Sequence, residues 1–467
     1  MKPRTLLILL VVVLGLGAFI FFYERKLPSS EERVTLGKKV FALEKDAVTA
    51  LTLETGKGTV RLERAGPAKP AKKQDGGVTS EPAAEWKIIR PLTARADTFA
   101  VDRLLDSITG LEKTSTIDQA DPKAVGLDKP RATVRLSTTG GEKVLKIGAE
   151  IPPGGSTVVG VEGRKEAYVV ADTILADLEK PPGEWRNRTL FLGDRERISK
   201  ITITSGAGAP GGPVVLAKHP EGFWMERPVA DRADNDLVEG LLSDLTGLTA
   251  DRFVDGPLPA DAGLNPPQAV VDVAFSGVAS PVRVELGAPV TGGATPEGQP
   301  SGEVSYVRIG DTVAQVRTRL GESARHAPAD WRALQLSAFE VHEIESAVVR
   351  EPGKPPLELT RAGTDWKRGS TTISYLPASD LLFAVTSARA TKILAPSEAQ
   401  PAQPVLTFDL KTKEGNETLT LYPAIAGGVP ARASGRNVVL LLPAETLGQI
   451  QSKVKEVQGA KAVAPEK

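Results

Sequence analysis

The sequence predicts an α+β fold: an N-terminal transmembrane helix followed by a tandem array of about three related sheet-plus-helix units. Three observations predict it. One long uncharged apolar run lies near the start, motifs after residue 43 recur at near-constant spacing, and within each recurrence strand-like alternation gives way to helical periodicity.

Residues 1–5 form a short N-terminus carrying Lys2 and Arg4. The 18 residues from Leu6 to Tyr23 carry no charge and are closed by Glu24, Arg25 and Lys26. A helix of that length reaches about 27 Å, enough for a bilayer core. A secretory signal has a shorter apolar stretch that ends in small residues. This run ends instead in Phe19, Ile20, Phe21, Phe22 and Tyr23, which suit a membrane interface. The expectation is an uncleaved signal anchor over 6–23, then a linker over 24–42. Lys2 and Arg4 favour a cytoplasmic N-terminus, with Arg25 and Lys26 pulling the other way. No second apolar run of that length occurs, so everything after Tyr23 lies on one side.

The array follows as unit 1 over 43–193, unit 2 over 194–340 and a degenerate unit 3 over 341–458, with a disordered tail over 459–467. Trp86 to Pro91 pairs with Trp224 to Pro228, and Trp366 keeps the tryptophan without the proline. Asp97, Val101, Leu104, Leu105, Ile108 and Gly110 each find a partner 137 residues on, from Asp234 to Gly247. Gly126-Leu127 and Pro130 pair at the same offset with Gly263-Leu264 and Pro267. Leu145 to Gly148 pairs with Val284 to Gly287. Tyr168, Asp172 and Thr173 pair with Tyr306, Asp311 and Thr312, and the third copy offers Val438 to Thr446. Trp185-Arg186 pairs with Trp331-Arg332.

Within a unit, Val48 to Leu62 alternates around Gly56 and Gly58 and reads as a hairpin, with a third strand ending near Ile89. Asp97 caps a helix whose apolar stripe is Val101, Leu104, Leu105 and Ile108, and Gly110 stands at C′. Val134 to Ile147 forms a second hairpin around Gly140. Tyr168 to Val170 is a strand feeding a short helix capped by Asp172. A helix with a one-sided stripe lies on a sheet face. The stretches 65–85, 290–303 and 395–404 read as solvated loops.

Composition narrows the chemistry. There are 58 Lys+Arg against 58 Asp+Glu, without the basic excess of a nucleic-acid binder, so no nucleic-acid partner is expected. The chain has no cysteine, which removes disulfides, thiolate metal sites and a cysteine nucleophile. Gly206 to Gly211 satisfies G-x-G-x-x-G but precedes a strand, so it reads as a hairpin loop and not a dinucleotide site. Asp231, Asp234 and Asp236 lack the ligand order of a calcium loop, and Asp234 is the helix cap. His219, His326 and His342 have no counterparts between copies and read as surface residues. Neither a catalytic residue, a metal nor a cofactor is expected.

The repeated aromatic positions carry the candidate site. Trp86, Pro91, Trp224, Pro228 and Trp366, together with Trp185, Arg186, Trp331 and Arg332, are the residues for binding a partner chain or a glycan. The structural alternative makes the tryptophans core or hairpin-capping rings, and Arg186 a solvated strand end.

Taken together, the anchor, the Trp86 and Trp224 turns, the Asp97 and Asp234 helices, the Gly-Leu steps and the Gly148 and Gly287 strands resemble the bacterial domain-of-unknown-function family 4340. The likeness covers nearly everything from Leu43 to Val457. It implies an envelope protein of the bacterial inner membrane, single-pass and largely periplasmic, near ABC-type export systems or gliding-like auxiliary subunits. The family brings no catalytic residue. Two functions follow. One is a membrane-anchored periplasmic scaffold or interaction protein, an accessory of such a complex, without catalysis. The other is an envelope module that binds or hydrolyses cell-wall glycan or peptide.

Overall fold

The computed structural model describes residues 37–41, 43–65, 85–206, 212–290, 303–395 and 403–463. The expected anchor over 6–23, the N-terminus before it and most of the 24–42 linker lie outside these residues, as do most of the three expected loops. No helix among the described residues is long and apolar enough to cross a membrane. The chain divides into two compact units, one up to Arg188 and one from Thr189. The first holds one sheet and the second holds two.

The architecture is mostly β, with three nine-stranded antiparallel sheets and few helices. The first sheet is built from β1 (Val48–Thr55), β2 (Gly58–Ala65), β3 (Glu85–Arg90), β4 (Ala94–Arg95), β5 (Ser115–Ile117), β6 (Ala132–Thr138), β7 (Gly141–Ile151), β8 (Ser156–Val161) and β9 (Ala167–Ala171). Their spatial order is β4-β3-β2-β1-β6-β7-β8-β9-β5. Strands β10–β18, between Ile198 and Thr318, and β19–β27, between Ser346 and Leu442, repeat that order. The tandem sheet units are thus real and share one topology. The fourth and fifth strands lie on opposite edges, so the helix between them carries the chain across the sheet face.

That helix is α1 (Thr98–Thr109), with α3 (Asn235–Thr246) and α5 (Tyr375–Thr386) at the same place in the later sheets; the shorter α2 (Ile174–Leu178) and α4 (Leu320–Arg325) follow the first two sheets. The Asp97 side chain accepts from Ala100 N and the Asp234 side chain from Leu237 N, each satisfying an orphan amide of the first turn. Val101, Leu104, Leu105 and Ile108 are at most 1% exposed, which the expected stripe requires. Burying each such side chain contributes about 1.5–3 kcal/mol. Gly110 differs from expectation. Its φ is −86°, right-handed and not C′-like, and its special feature is crowding, because a Cβ there would stand 2.8 Å from the Asp106 carbonyl oxygen.

Two motifs that read as separate in sequence form one device. Gly126 takes φ +72° and lets Val125 O accept from Ala149 N at 2.9 Å. Leu127 then lies over Gly148 and Gly160; a Cβ on Gly148 would meet Val125 O at 2.4 Å. The second sheet repeats this with Gly263 at φ +61°, Ala288 N donating to Ala262 O at 2.7 Å, and Leu264 over Gly287. The Gly-Leu step is a loop laid flat on a strand, and the second glycine makes room for it.

The end of each unit departs from the sequence reading in three places. Asp172 does not cap α2: Thr173 holds the cap position without a side-chain bond, and Asp172 Oδ1 is buried and unpartnered. In the second copy, Tyr306 lies on β17 (Glu303–Ile309), while Asp311 and Thr312 turn the chain into β18 (Thr312–Thr318) rather than start a helix. Tyr168 is on the ninth strand of its sheet and Tyr306 on the eighth, so the two are not equivalent. At the C-terminus, α6 (Thr446–Gly459) is followed by residues expected in a disordered tail. Ala462 bridges Ile373, and Val463 N donates to Thr372 O at 3.0 Å, so the chain is held as far as Val463.

Candidate functional site

The sequence-derived site residues are mostly inside. Trp86, Trp185, Trp331 and Trp366 are each at most 1% exposed and belong to the three sheet cores. A ring with so little exposed surface offers no platform to a ligand. Trp366 Nε1 donates to Ser379 Oγ at 3.1 Å, while Trp86 Nε1 finds no protein partner. Pro91 and Pro228 each follow a cis bond at the end of the third strand of their sheets.

Trp224 is the exception, and the reason is a one-residue slip. Six positions separate Trp86 and Pro91 inclusively, against five for Trp224 and Pro228. Strand pairing decides which residue corresponds: Arg64 faces Trp86, Lys218 faces Phe223 and Arg361 faces Trp366. The partner of Trp86 is therefore Phe223. A shift of one residue in a strand moves a side chain to the other face. Phe223 and Met225 point into the core, while Trp224 is half-buried on the opposite face, 5.8 Å from the His219 ring and against Gly435. Each core aromatic carries a cation across from it. The Arg64 and Arg361 guanidinium groups lie 5.2 and 4.9 Å from the ring centroids of Trp86 and Trp366. These cations also tie down the carbonyls that precede the first strand, with Arg64 donating to Asp46 O, Lys218 to Glu196 O and Arg361 to Ile344 O.

The Trp-Arg pairs close the sheet edge. Arg186 bridges Ala96 and Arg332 bridges Ala233, while Asp97 N donates to Trp185 O and Asp234 N to Trp331 O. Ala462 bridges Ile373 in the same manner, so the C-terminal segment is the third copy of this strap, unseen in sequence because it has lost both the tryptophan and the arginine.

Arg332 also enters a buried polar cluster of the second unit. Asp231, fully buried on the two-residue strand β13 (Asp231–Arg232), accepts from Arg332 Nε at 2.9 Å. It accepts again from Arg436 Nε at 2.8 Å and Arg436 Nη2 at 3.1 Å. Next to it, Arg232 pairs with Glu417 at 3.3 Å, and Glu417 accepts from Ser337 Oγ at 2.6 Å and from Ala338 N. Arg436 and Arg232 also donate to the Gln335 carbonyl, and Arg436 Nη2 to that of Ala333 at 2.8 Å. Burial, and then repulsion from Arg436, lowers the Arg232 guanidinium to about 10. Burial raises the Glu417 carboxyl despite its donors. The cluster spends its polar groups on one another and joins the second sheet to the third.

An open concavity of about 510 Å³ lies at the end of the second sheet. Ile203, Val214 and Leu286 form its floor, with Glu303, Glu322 and His326 among its walls. It reflects a short cover: α4 has 6 residues where α6 has 14 and packs along α5. Among the described residues no group of three or more His, Asp or Glu is placed to hold a metal ion.

The Gly-Leu device, the capped helix and the paired third strand occur in both of the first two sheets, and the comparison falls on these elements. Residues 86–267 match DUF4340, a domain of unknown function. The match runs from the third strand of the first sheet to the Gly-Leu step of the second, so it spans the junction of two repeats instead of framing one. It contains Trp86, Pro91, Trp185, Arg186, Trp224 and Pro228; Trp331, Arg332 and Trp366 lie beyond it. No curated protein and no solved structure matches the chain.

Proposed function

We propose that this chain is a membrane-anchored periplasmic scaffold that holds partner proteins near the bacterial inner membrane, as an accessory of an ABC-type export or gliding-like envelope complex and without catalysis. The observation that carries the reading is the cluster around Asp231 and Glu417, where a group of buried charges is consumed in joining one repeat to the next. The apolar run from Leu6 to Tyr23 supplies the anchor and its flanking charges the orientation. Repeated sheets offer extended surface and repeated edges, which suits holding other chains. Photocrosslinking in intact membranes with probes at the exposed Phe99 and Leu376 tests the reading. Reproducible membrane-protein partners are expected, and their absence at both probes would sink it.

The glycan-binding alternative is the weaker, because four of the five tryptophans that would stack on sugars are buried. Retention on purified peptidoglycan that disappears in Trp224→Ala would revive it.

A further inference from the structure

We propose that the outer face of α1 in one copy of this chain docks on the outer face of α5 in a second copy, with Arg103 meeting Asp380 beside the exposed rings of Phe99 and Phe383. The inference goes beyond the scaffold reading and rests on different observations.

One helical position recurs in all three repeats. α1, α3 and α5 each carry the chain across a sheet face and bury one stripe against it, Val101, Leu104, Leu105 and Ile108 in the first. Opposite that stripe, residues at i, i+4 and i+7 share the outer face of the helix. They are Phe99, Arg103 and Asp106 on α1, Asp236, Gly240 and Ser243 on α3, and Leu376, Asp380 and Phe383 on α5, and all nine are exposed. Phe99 is 88% exposed, Leu376 67% and Phe383 64%. On the described helices, those three and Tyr375 are the exposed large apolar side chains. The middle repeat has none there. The apolar outer face is therefore confined to the helices of the first and last repeats.

Charge complementarity identifies the occupant. Arg103 stands between Phe99 and Asp106 without an ion pair among the described residues. Asp380 stands between Leu376 and Phe383, with its carboxylate 51% exposed. Its cation is Lys453 at 3.5 Å, which lies closer to Glu456, at 2.8 Å. Two α5 faces laid together would oppose Asp380 to Asp380, and two α1 faces Arg103 to Arg103, so neither face fits itself. The pairing of α1 with α5 joins opposite charges and apolar groups at once.

The two helices match when laid antiparallel, with opposite helix ends together. Arg103 then reaches Asp380, while Phe99, four residues before it, meets Phe383, three residues after. Asp106 falls towards Leu376 with its charge already matched by Lys45 at 2.9 Å. Such a contact joins unlike faces, so it runs head to tail, and an open row of copies keeps one α1 face and one α5 face free at its ends. Those free faces stay open to the other proteins a scaffold holds.

The test places a photocrosslinking amino acid at Leu376 of the full-length protein in intact membranes, with a differently tagged copy co-expressed. The expected product joins the two tags through a peptide from α1 of the second copy. Arg103→Asp and Asp380→Arg should each lower its yield about tenfold or more, because like charges then meet. Co-expressing the two variants should restore it, since the new acid on one copy's α1 faces the new arginine on the other's α5. Phe99→Ser should also lower the yield, at an unchanged melting temperature because the ring is exposed, and it carries the test if a charge variant fails to fold. A crosslink within one copy, one to another element of the second copy, or a yield indifferent to the reversals overturns the proposal, as does no second-copy product. Other membrane proteins captured at Phe99 or Leu376 without a second copy would sink this pairing and leave the scaffold reading standing. A second copy captured without any other membrane protein would do the reverse.

Discussion

Asp231 and Arg436 are 205 positions apart and meet through two hydrogen bonds of 2.8 and 3.1 Å, both side chains at most 1% exposed. A buried ion pair is weak evidence of net stabilisation, because desolvation offsets the attraction. Its removal is another matter, since the remaining charge loses its partner and cannot reach water. Asp231→Asn leaves Arg332 and Arg436 facing an amide. It should cost about 3–5 kcal/mol, seen as earlier urea unfolding of the second and third repeats. An unchanged midpoint would show that the cluster is not sealed.

Glu417 gives a pH signature. Its carboxyl titrates above the ordinary 4.5 chiefly because it is buried. The folded chain therefore keeps that proton to higher pH than the unfolded chain. The associated stability is fully present below pH 4.5 and is lost as pH rises through the folded value. Glu417→Gln removes this dependence. The melting temperature of the wild type minus that of the variant should fall as pH rises above 4.5, and a flat or rising difference would contradict the burial argument.

The strand slip can be read in stability. Phe223→Ala should cost about 3–5 kcal/mol, as for a large core aromatic, and Trp224→Ala clearly less because its ring is already partly solvated. If the order were reversed in chemical denaturation, the tryptophans of the first two repeats would be equivalent after all.

Two glycines should respond in opposite directions to alanine. A Cβ on Gly287 would sit 2.2 Å from the Ala262 carbonyl oxygen, so Gly287→Ala should destabilise by about 1–3 kcal/mol. Gly240 is exposed inside α3 with nothing within 4 Å, and Gly240→Ala should stabilise by up to about 1 kcal/mol. Thermal melts of the two variants are sufficient to check both.

Local rules carried the sequence reading where they applied. The Asp97 and Asp234 caps, the Val101 to Ile108 stripe and the hairpins at Gly56 and Gly140 are all decided within about a dozen residues, and each stands as expected. The misreadings arise where counting along the chain competes with pairing across the sheet. Trp224 looked equivalent to Trp86 because the residue type matched, while the register matched Phe223. Tyr306 looked equivalent to Tyr168 because both precede an Asp-Thr pair, yet the turn at Gly310 makes that pair the start of a strand. The charge cluster had no local signal at all: Arg232 belongs to the second repeat and Glu417 and Arg436 to the third, and only tertiary pairing brings them together.

The short run from Ala333 to Ala338 serves two masters. Ala333 N completes the edge of the second sheet at Arg232 O, Leu336 N completes the third repeat at Ala388 O, and Ala338 N holds Glu417. A gene duplication that copied from one such seam to the next would hand on a strap for the old neighbour and a clasp for the new one. Growth by addition at the end would then be easier than insertion in the middle, because an inserted unit has to satisfy two seams at once. At Ala462 the third strap lacks the arginine with which Arg332 reaches Asp231.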